Sequence, residues 1–153
     1  MKLNEYGQPV GDALPDWQPA EPPEALRIDG KFCCLERLDA QRHGESLYHA
    51  FQQNEDGRSW TYLPYGPFES LQEYRDFLHG IEAKKDPYHF AVIDKVSGRA
   101  AGTVSLMRID VTNGVIETGH LVYSPLMQRT AISTEVMSLL LEYVFITLGY
   151  RRL

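Results

Sequence analysis

The sequence contains little cysteine and no long hydrophobic run. Its only cysteines, Cys33 and Cys34, are adjacent, so in a strand their side chains point to opposite faces. We therefore expect no disulfide framework and, by default, a reducing cytoplasmic location. No stretch of about 20 apolar residues is present, and residues 1–5 lack the apolar core of a signal peptide. These two absences predict a protein with no membrane span and no membrane partner.

Positive charge is also scarce. The chain has 15 Lys and Arg residues against 21 Asp and Glu residues, which gives a formal net charge of −6. This balance argues against nucleic acid as a general partner. The five histidines show no metal-ligand spacing with the two cysteines, and there is no Walker-type phosphate loop. We therefore expect no metal cofactor.

Proline is concentrated near the N-terminus. Five of the nine prolines lie in residues 1–30, and such a density leaves no helical or strand periodicity. We interpret residues 1–30 as an extended arm that lies over a single domain at residues 31–153. Leu14, Trp17 and Leu26 are the side chains expected to pin it down. The alternative interpretation is a disordered tail.

The first half of the domain predicts one strand and two helices. Residues 32–38 have a strand pattern, and Asp39 then has the position of an N-cap for a helix over residues 40–53. Ser70 begins a sequence with capping-box spacing, which predicts a second helix over residues 71–84.

The second half predicts three strands joined by tight hairpins, followed by a long helix. The turn at residues 112–114 contains Asn-Gly, which favours the positive φ angles of a tight hairpin. Pro125 ends the last strand, and Thr130 is the predicted N-cap of the helix. The order of elements indicates an α+β (mixed α/β) fold with a mostly antiparallel sheet flanked by helices. The predicted strands cover residues 88–94, 100–111 and 115–123, and the predicted helix covers residues 131–148.

The junction between the last strand and the last helix is a candidate anion site. A loop over residues 126–130 leads into the helix, whose first backbone N–H groups have no partner within the helix. Together with the positive end of the helix dipole, these groups favour an anion such as a pyrophosphate.

Four motifs carry a family resemblance. The loop over residues 128–133 fits the frame Q/R-x-x-G-x-G/A, it continues as Ser-Thr-Glu at 133–135, and the strand before it contains Glu-Thr-Gly at 117–119. An aromatic loop over residues 60–68 precedes a helix that begins with Ser and Glu. With this order of elements, residues 30–153 resemble the Gcn5-related N-acetyltransferase superfamily, and most closely its ribosomal-protein N-terminal acetyltransferase branch. The resemblance implies an acyl-CoA N-acyltransferase-like fold with acetyl-CoA as cosubstrate.

The sequence departs from the family pattern in two places. Ala131 and Ser133 replace the two loop glycines, which normally let the backbone approach phosphate oxygens. As the smallest substitutes, they are expected to preserve binding in a weakened form. The chain also stops at Leu153, before the family's C-terminal strands and the helix that carries its usual general-acid tyrosine. We therefore expect a truncated acetyltransferase domain of reduced or no activity, whose open sheet edge is covered by a second copy in a homodimer or by a complementary C-terminal fragment.

The resemblance also implies a proton acceptor on the last strand. Glu117 lies 11 residues before Gln128, as in family members that use a strand glutamate, and is the predicted catalytic base. The alternative is a structural or solvent-facing glutamate. His120 is the rival base because an imidazole titrates near neutrality. We expect His120 on the opposite face of the strand from Glu117, as a packed histidine.

The remaining site residues follow from the same resemblance. The backbone of the last strand would pair with the pantetheine arm of acetyl-CoA and polarise the thioester oxygen, through Leu121, Val122 and Tyr123. The pyrophosphate would be held by Gln128, Arg129, Thr130, Ala131, Ile132, Ser133 and Thr134. Three aromatic side chains would line the acceptor side or, equally, pack in the core: Trp60, Tyr62 and Tyr65.

Two functional hypotheses from different classes result. The first is an N-acetyltransferase that moves an acetyl group from acetyl-CoA to a primary amine, on an amine-bearing small molecule or a protein N-terminus. The second is a non-catalytic module that binds acyl-CoA or serves only for interaction.

Overall fold

The computed structural model describes residues 2–153. Its strands are Lys2–Leu3 (β1), Pro9–Val10 (β2), Arg27–Asp29 (β3), Cys33–Arg37 (β4), Tyr88–Asp94 (β5), Ala100–Asp110 (β6) and Val115–Tyr123 (β7). Its α-helices are Ala40–Phe51 (α1), Leu71–Glu82 (α2) and Ala131–Glu142 (α3). Strands β3 to β7 form one antiparallel sheet in chain order, and β1 and β2 form a separate hairpin. The predicted α+β fold, with its meander of three hairpin-linked strands, is confirmed.

Each helix begins at the N-cap that the sequence predicts. Asp39, Ser70 and Thr130 each accept a hydrogen bond from a backbone N–H of the first turn, and such a cap stabilises a helix by about 1 kcal/mol. Within residues 2–153, no helix has the length and apolar character needed to cross a membrane.

The last helix is shorter than the sequence predicts. α3 ends at Glu142 and continues as a π-helical turn over Tyr143–Thr147, whereas the predicted helix extends to residue 148. The Tyr143 hydroxyl accepts hydrogen bonds from the backbone N–H groups of Glu24 and Ala25 at 3.1 and 3.0 Å. The end of α3 therefore also anchors the N-terminal arm.

The arm is partly built into the domain. Trp17 covers Gly114 and donates from its indole N–H to the Thr112 carbonyl at 2.8 Å, which confirms Trp17 as an anchor. Leu14 and Leu26 are 57% and 74% exposed, so their predicted anchoring role is wrong. The arm also supplies β3, which pairs with β4 at the edge of the sheet. The sheet therefore begins inside the segment that the sequence assigned to the arm.

Two apolar cores lie on the two faces of the sheet. On the face that α3 covers, called the α3 face, the core includes Phe90, Val104, Leu106, Ile116, Val136 and Leu140. On the opposite face, called the α1/α2 face, the core includes Leu38, Leu47, Trp60, Tyr74, Leu78 and Val122. The first core joins α3 to the sheet, and the second joins α1 and α2 to its other face, where they contact β6 and β5.

The two adjacent cysteines are buried free thiols. Burial raises the pKa of Cys33 to about 12, and burial also raises the pKa of Cys34. Neither group is a thiolate near neutral pH, so both behave as small apolar side chains.

The outer edge of β7 is mostly open. Val115 forms a parallel bridge with Arg152, and the Ile116 N–H donates to the Arg152 carbonyl at 3.1 Å. Over residues 117–123, no strand within residues 2–153 pairs with this edge. The open edge leads directly into the loop before α3.

Candidate active site

A β-bulge in β7 shapes the centre of the candidate site. Thr103 of β6 pairs with Val122, and Ser105 of β6 pairs with Gly119. One residue of β6 therefore lies opposite two residues of β7, the first of which is His120. An extra residue of this kind bends the strand and re-aims its side chains. His120 has a φ of 49°, in the left-handed region that residues other than glycine rarely adopt.

The bulge overturns the prediction that His120 and Glu117 point to opposite faces. That prediction assumed strict alternation along the strand, and the extra residue breaks the alternation. Thr103 of β6 lies on the α1/α2 face. Met107, four residues further along the same strand, points to the same face, and Glu117 pairs with Met107. His120 contacts Tyr65, which also lies on that face. Both candidate bases are therefore on the α1/α2 face.

His120 is held by an aromatic cluster. Its Nδ1 lies 3.0 Å from the Tyr65 hydroxyl oxygen, and the two rings are nearly parallel, with 16° between their planes. The Tyr65 ring packs on Phe77, and the His89 ring centroid lies 5.4 Å from that of His120. Burial, and then the charge of Lys84, lowers the pKa of His120, and burial raises the pKa of Tyr65 to about 12. At neutral pH the imidazole is therefore neutral and the phenol is protonated.

His89, which the sequence did not single out, lies beside this cluster and is only 3% exposed. Burial, followed by the charges of His120, Arg37 and Lys84, lowers its pKa from 6.5 to about 4. Because the unfolded chain binds this proton more readily than the folded chain, protonation favours unfolding. The contribution of His89 to stability is complete above pH 6.5 and is lost as the pH falls towards 4.

We expect His89 to make the free energy of unfolding about 2 kcal/mol lower at pH 5 than at pH 8. His89→Gln should remove most of that difference. His49→Gln, at an exposed position of α1, should leave it unchanged. Urea unfolding at the two pH values measures both effects, and an equal pH dependence in wild type and His89→Gln would show that other groups cause it.

Glu117, the predicted base, lies at the surface. Its carboxylate accepts a hydrogen bond from Arg108 at 2.8 Å, in an ion pair whose side chains are 48% and 73% exposed. Arg108 is fixed in turn by Asp86, whose carboxylate accepts the backbone N–H groups of Arg108 and Ile109. Glu117 is thus a hydrated carboxylate on the α1/α2 face, and no hydrogen bond within residues 2–153 joins it to His120.

The three aromatic residues predicted for the acceptor side have different surroundings. Trp60 is buried against Phe51 and Phe68, so its ring is part of the core. Tyr62 is 98% exposed. Tyr65 joins this loop to β7 through its hydrogen bond with His120. The structure therefore brings Tyr65 to the centre of the site and leaves Tyr62 in solvent.

The loop between β7 and α3 uses much of its own hydrogen-bonding capacity. The Gln128 side-chain amide donates to the Tyr123 carbonyl at 2.6 Å. The Thr130 hydroxyl donates to the Met127 carbonyl at 2.7 Å, and the Ser133 hydroxyl donates to the Thr130 carbonyl at 2.8 Å. Three predicted cofactor-binding side chains therefore shape the loop itself. The Tyr123 carbonyl, which was expected to face a ligand, is already bonded.

The same loop still presents donors and a cation to solvent. Arg129 is exposed and has a φ of 60°, and none of the ion pairs within residues 2–153 involves its guanidinium. The Thr130 hydroxyl accepts the Ile132 N–H, and the other first-turn N–H groups of α3 have no partner within the helix. Ala131 and Ser133 add no bulky side chain. The loop therefore fits a diphosphate.

The residues expected to pair with a pantetheine arm lie at the end of the open edge of β7. Leu121 is exposed, Val122 packs into the core of the α1/α2 face, and Tyr123 packs against the core of the α3 face. The three side chains therefore point away from the open edge, to the two faces of the sheet and to solvent. The backbone of these residues borders the edge.

Glu135 fixes the start of α3 to the start of β4, a role that the sequence pattern did not reveal. Its carboxylate accepts three consecutive backbone N–H groups, those of Lys31, Phe32 and Cys33, at 2.6, 2.7 and 2.8 Å. Burial opposes the charged form, but these hydrogen bonds outweigh it and lower the pKa of Glu135. The absence of a side chain at Gly30 makes room for the Glu135 carboxylate, because a Cβ at this position would lie 2.6 Å from it.

A metal centre would require a cluster of metal-ligating side chains. Within residues 2–153, no group of three or more His, Cys, Asp or Glu side chains is arranged to hold a metal ion.

Comparisons with known proteins point to one family. The family model described as "Acetyltransferase (GNAT) domain" matches residues 34–153. A solved GCN5-related N-acetyltransferase from Brucella melitensis is 40% identical with a TM-score of 0.87, and the match covers 90% of this chain and 62% of that one. A "probable" acetyltransferase of the GNAT family from Chromobacterium violaceum ATCC 12472 is 36% identical with a TM-score of 0.81, over 94% of this chain and 71% of that one.

A more distant structure shares the fold alone. An acetyltransferase of the GNAT family from Bacillus anthracis is 18% identical with a TM-score of 0.62, over 78% of this chain and 66% of that one. Among curated proteins, no sequence matches the chain. The chain spans less than two thirds of the length of the Brucella melitensis protein.

Proposed function

The chain belongs to the GNAT acetyltransferase family, and we propose that it transfers an acetyl group from acetyl-CoA to a primary amine. One observation carries this proposal: an open strand edge, a bulge and an exposed loop at a helix N-terminus follow one another over residues 117–134. The edge accommodates an extended arm, and the helix N-terminus accommodates its diphosphate. The catalytic domain would comprise residues 31–153, with residues 1–30 as its arm.

We assign the diphosphate of acetyl-CoA to the start of α3. Arg129 and the first-turn N–H groups supply positive charge and donors. The loop that holds it comprises Gln128, Arg129, Thr130, Ala131, Ile132, Ser133 and Thr134. The pantetheine arm would border the backbone of Leu121, Val122 and Tyr123. Acetyl-CoA supplies the acetyl thioester, and no metal is required for its transfer to an amine.

The acceptor would approach on the α1/α2 face. There Glu117 is the proposed base for the amine proton, acting through solvent because its carboxylate is hydrated. The acceptor side would be formed by the loop that carries Trp60, Tyr62 and Tyr65. We propose a protein N-terminus or an amine-bearing small molecule as acceptor. The aromatic loop and the Ser-Thr-Glu sequence at 133–135 support the ribosomal-protein N-terminal acetyltransferase branch.

The open edge of β7 and a group of exposed apolar side chains near the end of α3 support an interaction partner. Within residues 2–153, no strand pairs with the edge of β7 over residues 117–123, and Leu141, Phe145 and Ile146 are exposed near the end of α3. Unpaired edges and apolar patches favour association. We propose that a second copy, or a complementary C-terminal fragment, covers them in the cytoplasm.

Binding of acetyl-CoA tests the proposal. At 100 times Kd, acetyl-CoA should stabilise the folded chain by about 2.7 kcal/mol, seen as a rise in melting temperature. Arg129→Gln should weaken the affinity roughly tenfold, because one charge-assisted contact is lost. Arg99→Gln, in the exposed β5–β6 turn, is the matched control and should bind like wild type.

Two outcomes would argue against this function. An unchanged melting temperature at millimolar acetyl-CoA would refute binding of the cosubstrate. Stabilisation without acetylation of any amine would favour the second hypothesis, a non-catalytic acyl-CoA-binding module.

A further inference from the structure

Tyr65 and His120 form a hydrogen-bonded pair that the proposed reaction does not yet use. The phenol lies 3.0 Å from Nδ1 of the imidazole, and the near-parallel rings fix the orientation of the pair. The bulge holds the His120 backbone at a φ of 49°, so the side chain is set by both its backbone and its neighbour. Such a pair has few ways to rearrange.

The hydrogen bond decides which nitrogen of His120 carries the proton. A neutral imidazole has one N–H donor and one acceptor nitrogen. Within residues 2–153, the Tyr65 hydroxyl has one hydrogen-bond partner, Nδ1 of His120. The buried phenol keeps its proton, and within residues 2–153 that proton has no other acceptor than Nδ1; donation to Nδ1 is therefore the direction that gives the hydroxyl proton a partner. The imidazole proton is then on Nε2.

His89 does not compete for this arrangement. Its ring centroid lies 5.4 Å from that of His120, and no hydrogen bond within residues 2–153 joins the two imidazoles. The nearby cation, Lys84, disfavours an imidazolium at His120, as burial does. His120 is therefore a neutral group on the α1/α2 face whose Nε2–H has no hydrogen-bond partner within residues 2–153.

We propose that Tyr65 positions His120 as a neutral hydrogen-bond donor, whose Nε2–H stabilises the carbonyl oxygen of the reacting thioester, rather than as a base. This inference rests on the proposed acetyl transfer. A neutral imidazole suits the task, because it can donate to an oxygen that gains negative charge without itself needing to ionise. His120 is the catalytic residue in this proposal, and Tyr65 is a positioning residue.

The step balances without a further reactant. The amine nitrogen forms a bond to the carbonyl carbon, and the displaced electron pair collects on the oxygen that the Nε2–H of His120 faces. Glu117 receives the amine proton through solvent. The carbonyl reforms as the C–S bond breaks, and the thiolate takes a proton from water. His120 keeps its proton throughout.

Nitrogen chemical shifts of the His120 ring test the tautomer in the chain as it stands. At pH 7 we expect Nε2 to have the shift of a protonated nitrogen and Nδ1 that of an unprotonated one. In Tyr65→Phe, the loss of the donor should turn this into a mixture of tautomers. Tyr74→Phe removes a buried hydroxyl from the same aromatic cluster that makes no hydrogen bond with Tyr65 or His120, and should leave the His120 shifts unchanged.

A proton on Nδ1, or an imidazolium at pH 7, would overturn the inference whatever the affinity for acetyl-CoA. Unchanged shifts in Tyr65→Phe would overturn the role of Tyr65. Absence of acetyl-CoA binding in wild type would instead refute the proposed function, and the donor role with it, while leaving the tautomer as measured. These results separate the two proposals.

Replacing His120 separates a donor from a base. His120→Leu should lower kcat on the order of 10²-fold. His120→Gln keeps an N–H donor but no group that titrates near neutrality, so it should recover most of that loss. If both variants lose activity equally and the acid limb of the pH–rate profile disappears, His120 is a base and the proposal is wrong.

Discussion

Glu135→Ala is expected to lower the free energy of unfolding by roughly 4 kcal/mol. One carboxylate accepts the N–H groups of Lys31, Phe32 and Cys33, and a hydrogen bond to a charged group typically contributes 1.5–3 kcal/mol. Solvent can replace part of this, because Lys31 and Phe32 are exposed. The N–H of Cys33 is at a buried residue, so its loss of a partner carries the full desolvation penalty.

Urea unfolding at pH 7 measures this effect. Glu135→Gln should be less destabilising, since its amide oxygen can still accept the N–H groups of Phe32 and Cys33, which share one carboxylate oxygen, while its NH2 group cannot accept the N–H of Lys31. Glu142→Gln, at an exposed position at the end of the same helix, is the matched control and should change stability by about 0.5 kcal/mol or less. A loss below about 1 kcal/mol in Glu135→Ala would show that solvent satisfies all three N–H groups.

The consequence for binding follows from where Glu135 lies. It is one turn into α3, directly after the loop proposed to hold the diphosphate, and it ties that turn to β4. A weaker tie should loosen the loop, so acetyl-CoA affinity should fall in Glu135→Ala even though the side chain faces the Gly30–Cys33 segment. Gly30→Ala should have a similar effect from the other side, because its Cβ would lie 2.6 Å from the carboxylate.

The local elements could be predicted because their signals lie within a few residues of each other. An N-cap needs only its own first turn, and Asp39, Ser70 and Thr130 each bond to an N–H two or three residues away. The β6–β7 turn likewise depends on Asn113 and Gly114. Short-range chemistry of this kind is independent of how the rest of the chain packs.

The site could not be predicted at the same level, because its geometry depends on pairing between distant segments. The alternation rule placed His120 on the wrong face, since a bulge is visible only in the register between β6 and β7. Glu135 bonds to residues more than a hundred positions earlier. The Gln128 side chain, predicted to hold a ligand, donates to the Tyr123 carbonyl, five residues before it, a contact that the motif does not reveal.

The two candidate bases on β7, Glu117 and His120, have different surroundings. This difference supports different roles for them in the reaction. His120 is half-buried against the rings of Tyr65 and His89 and is kept neutral. Glu117 is hydrated and faces Arg108. A half-buried imidazole fixed by a hydrogen bond is suited to holding a proton in place, and a solvent-exposed carboxylate can exchange one with solvent.

Glu117→Gln should therefore lower kcat for acetylation of an amine by about 10²-fold, because general base catalysis typically contributes 10²–10⁴-fold. The KM for acetyl-CoA should hardly change, since Glu117 lies near the start of β7, whereas the loop at 128–134 follows the end of that strand. Stability should change by about 0.5 kcal/mol or less, because an exposed ion pair contributes little. Steady-state kinetics over a range of pH, with urea unfolding of the same samples, measures all three.

Arg108→Gln is the matched control for Glu117→Gln. It removes the other half of the ion pair and leaves the carboxylate in place, so activity should persist if the carboxylate is the working group. If instead both variants lose activity alike, the pair acts as a structural brace at the surface. If Glu117→Gln is fully active while His120→Gln is not, the base is His120. The proton then leaves the amine at the bulge itself, where His120 lies.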